Sequence, residues 1–355
     1  MDAASGAEGD SRGVQLAAPL EDPRRVRVKP RARLRIAPGV WGSRSANGGE
    51  ENVGASQREA TANSGRHTEE PVACPDPVFV LGCPRSGTSV LAWSLAQHPD
   101  MWTSVETDFL LYLFGPPLSD FYGRSKVDRA LERITTRPGG SWLDQHGIAR
   151  AEFIAHIGLG LNALITKQAP GKRWVDQSPG YTVMASTLAE LFPMAYFVHV
   201  LRDGRRVVHS MINSGFDVWW ATDFRQACRV WANFVESAME FQRSVPERCM
   251  TVRLEELSVS PRRSFANILQ FIKAPLDDAP ADFFASNRIN SSYEPKSQRG
   301  GARGLAGTAA ASSARGTRLT EPWLLWSPEE RAIFVEEAGA SLVKHGYATP
   351  EELVP

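Results

Sequence analysis

Short apolar runs alternate with amphipathic stretches from about residue 77 to the end of the chain. Val78-Phe79-Val80-Leu81 is a continuous apolar run, which is typical of a strand buried on both faces of a sheet. Similar strand patterns occupy 173–176, 195–201 and 250–254. Helical patterns follow at 90–96, 181–192, 204–213, 224–243, 261–272 and 328–345. This alternation predicts an α/β fold, with a mostly parallel sheet flanked by helices on both faces.

The first 72 residues follow neither period. They are rich in Gly, Ser, Ala, Arg and Glu, so they cannot bury enough apolar surface to offset chain entropy. We therefore expect a disordered tail over 1–72 and one α/β domain over 73–355, with a mobile loop at 296–318. The tail includes a stretch, 24–35, with seven basic residues in twelve. It is either an arm for nucleic acid or anionic lipid or simply a solvated segment.

Charge and composition narrow the classes of partner. Forty Lys and Arg balance forty Asp and Glu in the 355 residues, so no global field favours nucleic acid. No apolar run approaches eighteen residues, which argues against a membrane span. The N-terminus lacks the pattern of a secretory signal. The four cysteines include no C-x-x-C pair, which favours free thiols in a reducing cytosol over zinc ligation. We expect a cytoplasmic protein.

The stretch Gly82-Cys83-Pro84-Arg85-Ser86-Gly87-Thr88-Ser89 lies directly between the first strand and its helix. At that place a parallel sheet presents a helix N-terminus to an anionic ligand. Gly87 allows close approach of the backbone, and Arg85 supplies a cation. Thr88 stands where the G-x-x-x-x-G-K-[ST] motif of nucleotide triphosphatases has Lys. The pattern favours a P-loop-type anion site for one phosphate and a neighbouring anionic group; a serine-capped glycine turn is the structural alternative.

A second anion motif follows the strand at 195–201. Arg202 stands at the strand's carboxyl end, where open α/β sheets bind their ligands. Ser210 lies eight residues later in the following helix and could share an anion with Arg202. An Arg at this place, rather than the Asp of a magnesium site, favours anion binding. A salt-bridged strand end is equally compatible with the residues alone.

The two motifs together resemble the sulfotransferase family, which uses 3′-phosphoadenosine 5′-phosphosulfate as donor. Pro84-Arg85-Ser86-Gly87-Thr88-Ser89 matches the family's P-[KR]-[ST]-G-T-[ST] loop, and Arg202 with Ser210 matches its 3′-phosphate pair. The stretches 253–257 and 342–347 are similar to its later motifs. The resemblance covers about 77–347 and is greater to the tyrosylprotein and carbohydrate branches than to the cytosolic phenol branch.

The resemblance also implies a general base. In the tyrosylprotein branch this base is a Glu shortly after a His-Pro pair, and Glu106 occupies the corresponding place after His98-Pro99. The structural alternative is that Glu106 caps a helix over 107–114. One departure concerns Gln177, which stands where that branch has a Lys. A cation near the transferred sulfonate would then be missing.

The implied activity is sulfonate transfer to an acceptor hydroxyl or amine, with Glu106 as base and Arg85 stabilising the leaving charge. The donor would be bound by Arg85, Ser86, Gly87, Thr88, Ser89, Arg202 and Ser210. No metal is required, and the acceptor would be a small molecule, carbohydrate or peptide. His199 and His209 are alternative bases, although a core position and a packing role fit their contexts better. Trp231 is predicted in the core, and Trp219-Trp220 could line an acceptor pocket or the core.

Two other functions stay open on the sequence. A P-loop kinase for a small molecule would use ATP and magnesium, but Thr88 replaces its Lys. A non-catalytic nucleotide-binding scaffold is compatible with Gln177, and its basic tail would recruit a partner.

Overall fold

In the computed structural model, the described residues are 75–117, 121–135, 141–214, 218, 220, 223–287 and 322–353. The predicted tail over 1–72 and the predicted mobile loop over 296–318 lie outside them. Five parallel strands form one sheet in the order β2-β3-β1-β4-β5. The strands are β1 Val78–Leu81, β2 Met101–Thr103, β3 Arg173–Gln177, β4 Tyr196–Leu201 and β5 Cys249–Arg253. The predicted α/β class and parallel sheet are confirmed.

Fourteen α-helices cover the described chain. The first seven in chain order are α1 Thr88–Leu95, α2 Phe109–Phe114, α3 Lys126–Thr135, α4 Trp142–Gln145, α5 Arg150–Thr166, α6 Ala185–Leu191 and α7 Gly204–Ile212. The others are α8 Phe224–Ser244, α9 Leu254–Val259, α10 Pro261–Phe271, α11 Ala279–Ser286, α12 Pro322–Leu325, α13 Pro328–Phe334 and α14 Ala340–Lys344. Short 3-10 helices occupy Pro179–Met184 and Pro350–Leu353, and a π-helical turn occupies Val335–Gly339.

Alternate residues of each central strand point to opposite sides of the sheet, and both sides are buried under helices. Val78 and Val80 of β1 belong to a cluster with α1, α10 and α11. Phe79 and Leu81 belong to the cluster on the other face, with α5 and α6. A third cluster, containing Cys83 and Trp231, joins α7 and α8 to the C-terminal helices. Helices therefore flank both faces, as the apolar runs predict.

Four differences from the sequence expectations have local causes. Met101–Thr103 forms a strand that the sequence patterns miss, because three residues are too few to show a period. Helices α3, α4 and α5 lie in a part of the chain for which the sequence patterns predict no helix. The helix expected over 181–192 begins as a 3-10 helix, with Pro179 in its first turn. The helix expected over 328–345 does begin at Pro328 with a capping box on Ser327, but the π-helical turn interrupts it.

Candidate active site

The loop between β1 and α1 is shaped by three residues with positive φ. Gly82 has φ of 153°, Arg85 of 71° and Gly87 of 99°. A Cβ at Gly82 would lie 2.8 Å from Thr88, and one at Gly87 would lie 2.9 Å from Leu254. Neither glycine tolerates a side chain without displacing a neighbour. Arg85 takes the left-handed conformation without being glycine, a strained choice that tends to persist at functional sites.

The hydroxyl-bearing residues of the loop lie at different depths. Ser86 and Thr88 are buried, whereas Ser89 is half-buried. The Ser86 amide donates to the Cys83 carbonyl at 3.0 Å and closes the turn. No side chain caps the amino end of α1. The first N–H groups of α1 are therefore placed to bind an anion in the loop, with help from the helix dipole.

Thr182 fixes the start of the loop from the 3-10 helix that follows β3. The Gly82 amide donates to Thr182 Oγ1 at 2.8 Å, and that hydroxyl donates to the Gly82 carbonyl at 3.2 Å. Thr182 is buried. Sequence reasoning missed this residue, because it lies one hundred positions from its partner and belongs to no motif.

The two predicted anion motifs meet. Arg202 Nη1 donates to the Arg85 carbonyl at 2.7 Å, and Arg85 Nε donates to Ser210 Oγ at 3.1 Å. Burial lowers the pKa of Arg85. It is also the largest cause of the lowered pKa of Arg202, which Arg206 and Arg85 lower further while Glu255 and Asp203 raise it. The positive charges of Arg85 and Arg206 therefore act on Arg202, an arrangement that favours anion binding.

Residues behind Arg202 hold this cationic region in place. Asp203 caps α7 by accepting the Arg205 amide at 2.9 Å, and its carboxylate also pairs with the Arg205 guanidinium at 2.7 Å. Trp231 is buried as predicted, yet it also donates from Nε1 to the Arg202 carbonyl at 3.2 Å. Gly204 is required beneath that indole, since a Cβ would lie 2.7 Å from the ring.

The stretches 253–257 and 342–347 also meet behind the cationic region. Glu255 accepts the Asp203 amide at 3.1 Å and the Tyr347 hydroxyl at 3.0 Å. The Arg253 guanidinium lies 4.5 Å from the centre of the Tyr347 ring. The final segment of the chain thus anchors the strand end that carries Arg202.

A different set of side chains occupies the carboxyl end of β3. Gln177, the last residue of that strand, pairs in register with Val80 of β1, so it lies beside the phosphate loop. Its amide Nε2 donates to Glu106 Oε2 at 3.3 Å. Helix α2 begins at Phe109 and its N-cap is Asp108. The alternative in which Glu106 caps a helix over 107–114 is therefore wrong.

Asp176 lies buried behind Gln177. Its Oδ1 accepts a hydrogen bond from the backbone N–H of Gln177 at 2.9 Å, and its Oδ2 accepts one from the Tyr181 hydroxyl at 3.1 Å. Burial raises the pKa of Asp176 to about 6; the two hydrogen bonds oppose the rise, and Asp108 adds to it. The carboxylate thereby fixes both the strand end and the 3-10 helix that follows.

The two histidines considered as alternative bases have the positions that their sequence contexts predict. His199 is fully buried, and its Nδ1 lies 3.0 Å from Thr251 Oγ1. Burial, with a smaller contribution from His345, lowers its pKa to about 3. His209 is half-buried on α7 and interacts with Asn213 of the same helix. Trp220 packs against the third core cluster, and Trp219 lies outside the described residues.

Two further observations concern metals and membranes. Among the residues that the structure describes, no three His, Cys, Asp or Glu side chains gather into a metal site. Within the same part of the chain, no helix has the length and apolar character needed to cross a membrane.

A parallel sheet with a glycine-containing loop after its first strand and an arginine at the end of a neighbouring strand is typical of P-loop-type α/β folds. Comparison with known proteins narrows that class. The model of the sulfotransferase family matches residues 77–278, which is more than half of the chain. The chain belongs to the sulfotransferase family.

The relatives found by sequence are named for one activity. The chain is 31% identical to a protein-tyrosine sulfotransferase of Drosophila melanogaster over 57% of its own length and 39% of the relative's. It is 26% identical to protein-tyrosine sulfotransferase 1 of Danio rerio, over 57% and 54%. The chain thus spans about half the length of these curated relatives or less.

Solved structures with a related fold are more distant. The sulfotransferase domain of the Synechococcus PCC 7002 olefin synthase is 23% identical, with a TM-score of 0.41, over 57% of this chain and 75% of that one. Mouse sulfotransferase SULT7A1 complexed with PAP is 14% identical, with a TM-score of 0.42, over 77% and 89%.

Proposed function

We propose that the protein transfers a sulfonate group from 3′-phosphoadenosine 5′-phosphosulfate to an acceptor hydroxyl. The observation that carries the proposal is the direct contact of the two anion motifs through Arg202, Arg85 and Ser210. Such a site suits one ligand with two separate anionic ends. The 5′-phosphosulfate would lie against the loop and α1, and the 3′-phosphate against Arg202 and Ser210.

Glu106 is proposed as the general base. The acceptor oxygen attacks sulfur and gives its proton to the Glu106 carboxylate. The bond between sulfur and the bridging oxygen then breaks, and the electron pair stays on the 5′-phosphate of the nucleotide product. Arg85 and the N–H groups of the loop would stabilise that charge as it develops. Positioning and electrostatics supply most of the catalysis, as they do in phosphoryl transfer.

The acceptor is proposed to be a hydroxyl of a peptide, carbohydrate or small molecule. The names of the relatives make tyrosine-containing peptides the first acceptors to test. A kinase would instead need to hold the β and γ phosphates with magnesium, and Thr88 stands at the place of its Lys. The Glu106 carboxylate, which accepts a hydrogen bond from Gln177 at the end of the strand next to β1, favours an enzyme over a nucleotide-binding scaffold.

The test is an incubation of the full chain with the phosphosulfate donor and a panel of tyrosine peptides, oligosaccharides and small alcohols. Mass spectrometry should detect one added sulfonate on at least one acceptor. Parallel reactions with ATP and magnesium should yield no phosphorylated product. Binding of the donor without transfer to any acceptor would support the scaffold, and phosphorylation would support the kinase.

A further inference from the structure

We propose that Gln177 is the residue that positions Glu106 for proton transfer. This inference rests on the proposed function and assigns a role to the residue that departs from the family's Lys. Its basis is the hydrogen bond from Gln177 Nε2 to Glu106 Oε2 at 3.3 Å. That contact joins the end of β3 to the segment between β2 and α2.

Gln177 is well placed to orient another group because its own position is fixed. Its side chain is 1% exposed, and its backbone pairs in register with Val80 beside the phosphate loop. The backbone N–H of Gln177 also donates a hydrogen bond to buried Asp176, which accepts a second hydrogen bond from Tyr181. A buried side chain on a central strand loses little further freedom when it donates a hydrogen bond.

Glu106 has the opposite character. It lies half-exposed in residues 104–108, which form neither helix nor strand. The start of that segment is anchored where Thr103 Oγ1 donates to the Val175 carbonyl at 2.8 Å. A glutamate side chain can adopt several rotamers, and a base must be within hydrogen-bond reach of the proton it abstracts. A fixed donor at Gln177 selects the rotamer in which Oε2 of Glu106 points towards the end of β3.

The chemistry of an amide donor suits this role. Gln177 donates its hydrogen bond to one carboxylate oxygen of Glu106, Oε2. An ammonium group at the same place would stabilise the ionised carboxylate more strongly and make it a weaker base. The amide orients the carboxylate without adding a full charge beside it. The geometry therefore gives Gln177 the orientation of the proposed base.

The experiment is a double-mutant cycle between Gln177 and Glu106 in the full chain. Gln177→Met keeps the length of the side chain and removes the donor, and Gln270→Met makes the same change at an exposed position of α10. We expect Gln177→Met to lower kcat about tenfold or more, with the Kd of the donor nucleotide unchanged. In a Glu106→Gln background the same substitution should lower kcat no further, since the positioned base is already absent.

Two measurements separate positioning from folding. The melting temperature of each variant shows whether it is folded, and Gln177→Lys, which restores a donor of similar reach, should recover part of the lost kcat. Suppose that Glu106→Gln abolishes transfer but that Gln177→Met transfers as fast as Gln270→Met. That result would overturn the positioning role of Gln177 and leave Glu106 as the base. Transfer that survives Glu106→Gln would overturn both the base and its positioning. No transfer by the wild type from any donor to any acceptor would overturn the proposed function itself.

Discussion

The two sides of the candidate site are held together in different ways. On the cationic side, Arg85, Arg202 and Ser210 come from loop and strand-end motifs, and both hydrogen bonds that link them have an arginine side chain as donor. On the acidic side, Glu106, Gln177 and Asp176 meet through side chains and one backbone amide. The cationic side is suited to binding a ligand, and the acidic side to moving a proton. Substitutions should therefore separate binding from chemistry.

The largest expected effect is on the acidic side. Glu106→Gln preserves the shape of the side chain and removes the proposed proton acceptor, so kcat should fall by about 10² to 10⁴ while donor affinity changes little. Steady-state kinetics and calorimetric titration measure the two quantities. Glu152→Gln, at an exposed position of α5, is the matched control. A Glu106→Gln enzyme that turns over at the wild-type rate would place the base elsewhere.

The next largest effect belongs to the cationic side. Arg202→Ala removes a charge-assisted contact worth about 1.5 to 3 kcal/mol, so it should weaken binding of 3′-phosphoadenosine 5′-phosphate by about tenfold to a hundredfold. Ser210→Ala should act in the same direction and more weakly. Adenosine 5′-phosphate, which lacks the 3′-phosphate, should bind both variants much as it binds the wild type. Equal losses for the two nucleotides would contradict the assignment.

Two buried side chains of the sheet, His199 of β4 and Asp176 of β3, should make stability depend on pH in opposite directions. Burial holds the pKa of His199 near 3 in the folded protein, below its ordinary 6.5. The unfolded chain therefore binds the proton first, and stability is lost as the pH falls below about 6.5. The free energy of unfolding should drop by roughly 1 to 2 kcal/mol between pH 6.5 and 5 from this residue, because the slope approaches 1.36 kcal/mol per pH unit only below pH 6.5. Denaturant titration of His199→Leu should show a shallower fall.

Asp176 provides the opposite case. Burial raises its folded pKa to about 6 from an ordinary 3.8, so the folded state binds the proton first. Its contribution is present in full below pH 3.8 and is lost as the pH rises towards 6. Asp176→Asn should flatten stability over that interval. If the free energy of unfolding of Asp176→Asn had the same pH dependence as that of the wild type, other groups would dominate it.

The smallest expected effect is that of Arg206, whose charge helps to lower the pKa of Arg202. Arg206→Gln should weaken the 3′-phosphorylated nucleotide by about two- to fivefold, as suits a partly exposed charge. Arg263→Gln removes the same charge at an exposed position of α10 and should have no effect. The loss should diminish at high salt, because screening weakens such interactions. Salt-independent binding would argue against a direct electrostatic role.

Most of the cationic side was predictable, because its geometry is local. The bounds of β1, β3, β4 and β5 differ from the apolar patterns by one residue at most. Gly82, Arg85 and Gly87 follow β1 directly, so a strand end and a helix start suffice to place them. Arg202 and Ser210 likewise follow from one strand and one helix. That they contact Arg85 required β1 and β4 to be neighbours, which the sequence does not state.

The acidic side was predictable only in its parts. Glu106 followed from a resemblance, whereas its contact with Gln177 depends on the order β2-β3-β1 in the sheet. Strand β2 has only three residues, too few for a period to emerge. Thr182 and Asp176 carry no motif and act through partners that the fold supplies.

The sequence by itself determined the α/β class, the phosphate loop and the two arginines of the cationic side, since each depends on residues close together along the chain. The tertiary structure decided which strand ends are neighbours, and so which side chains share the site. It placed Gln177 beside Glu106, joined 253–257 to 342–347 behind Arg202, and used Trp231 as a hydrogen-bond donor as well as a core residue. These contacts join residues 29 to 92 positions apart. Pairing at such separations depends on how whole elements pack, which local propensity does not encode.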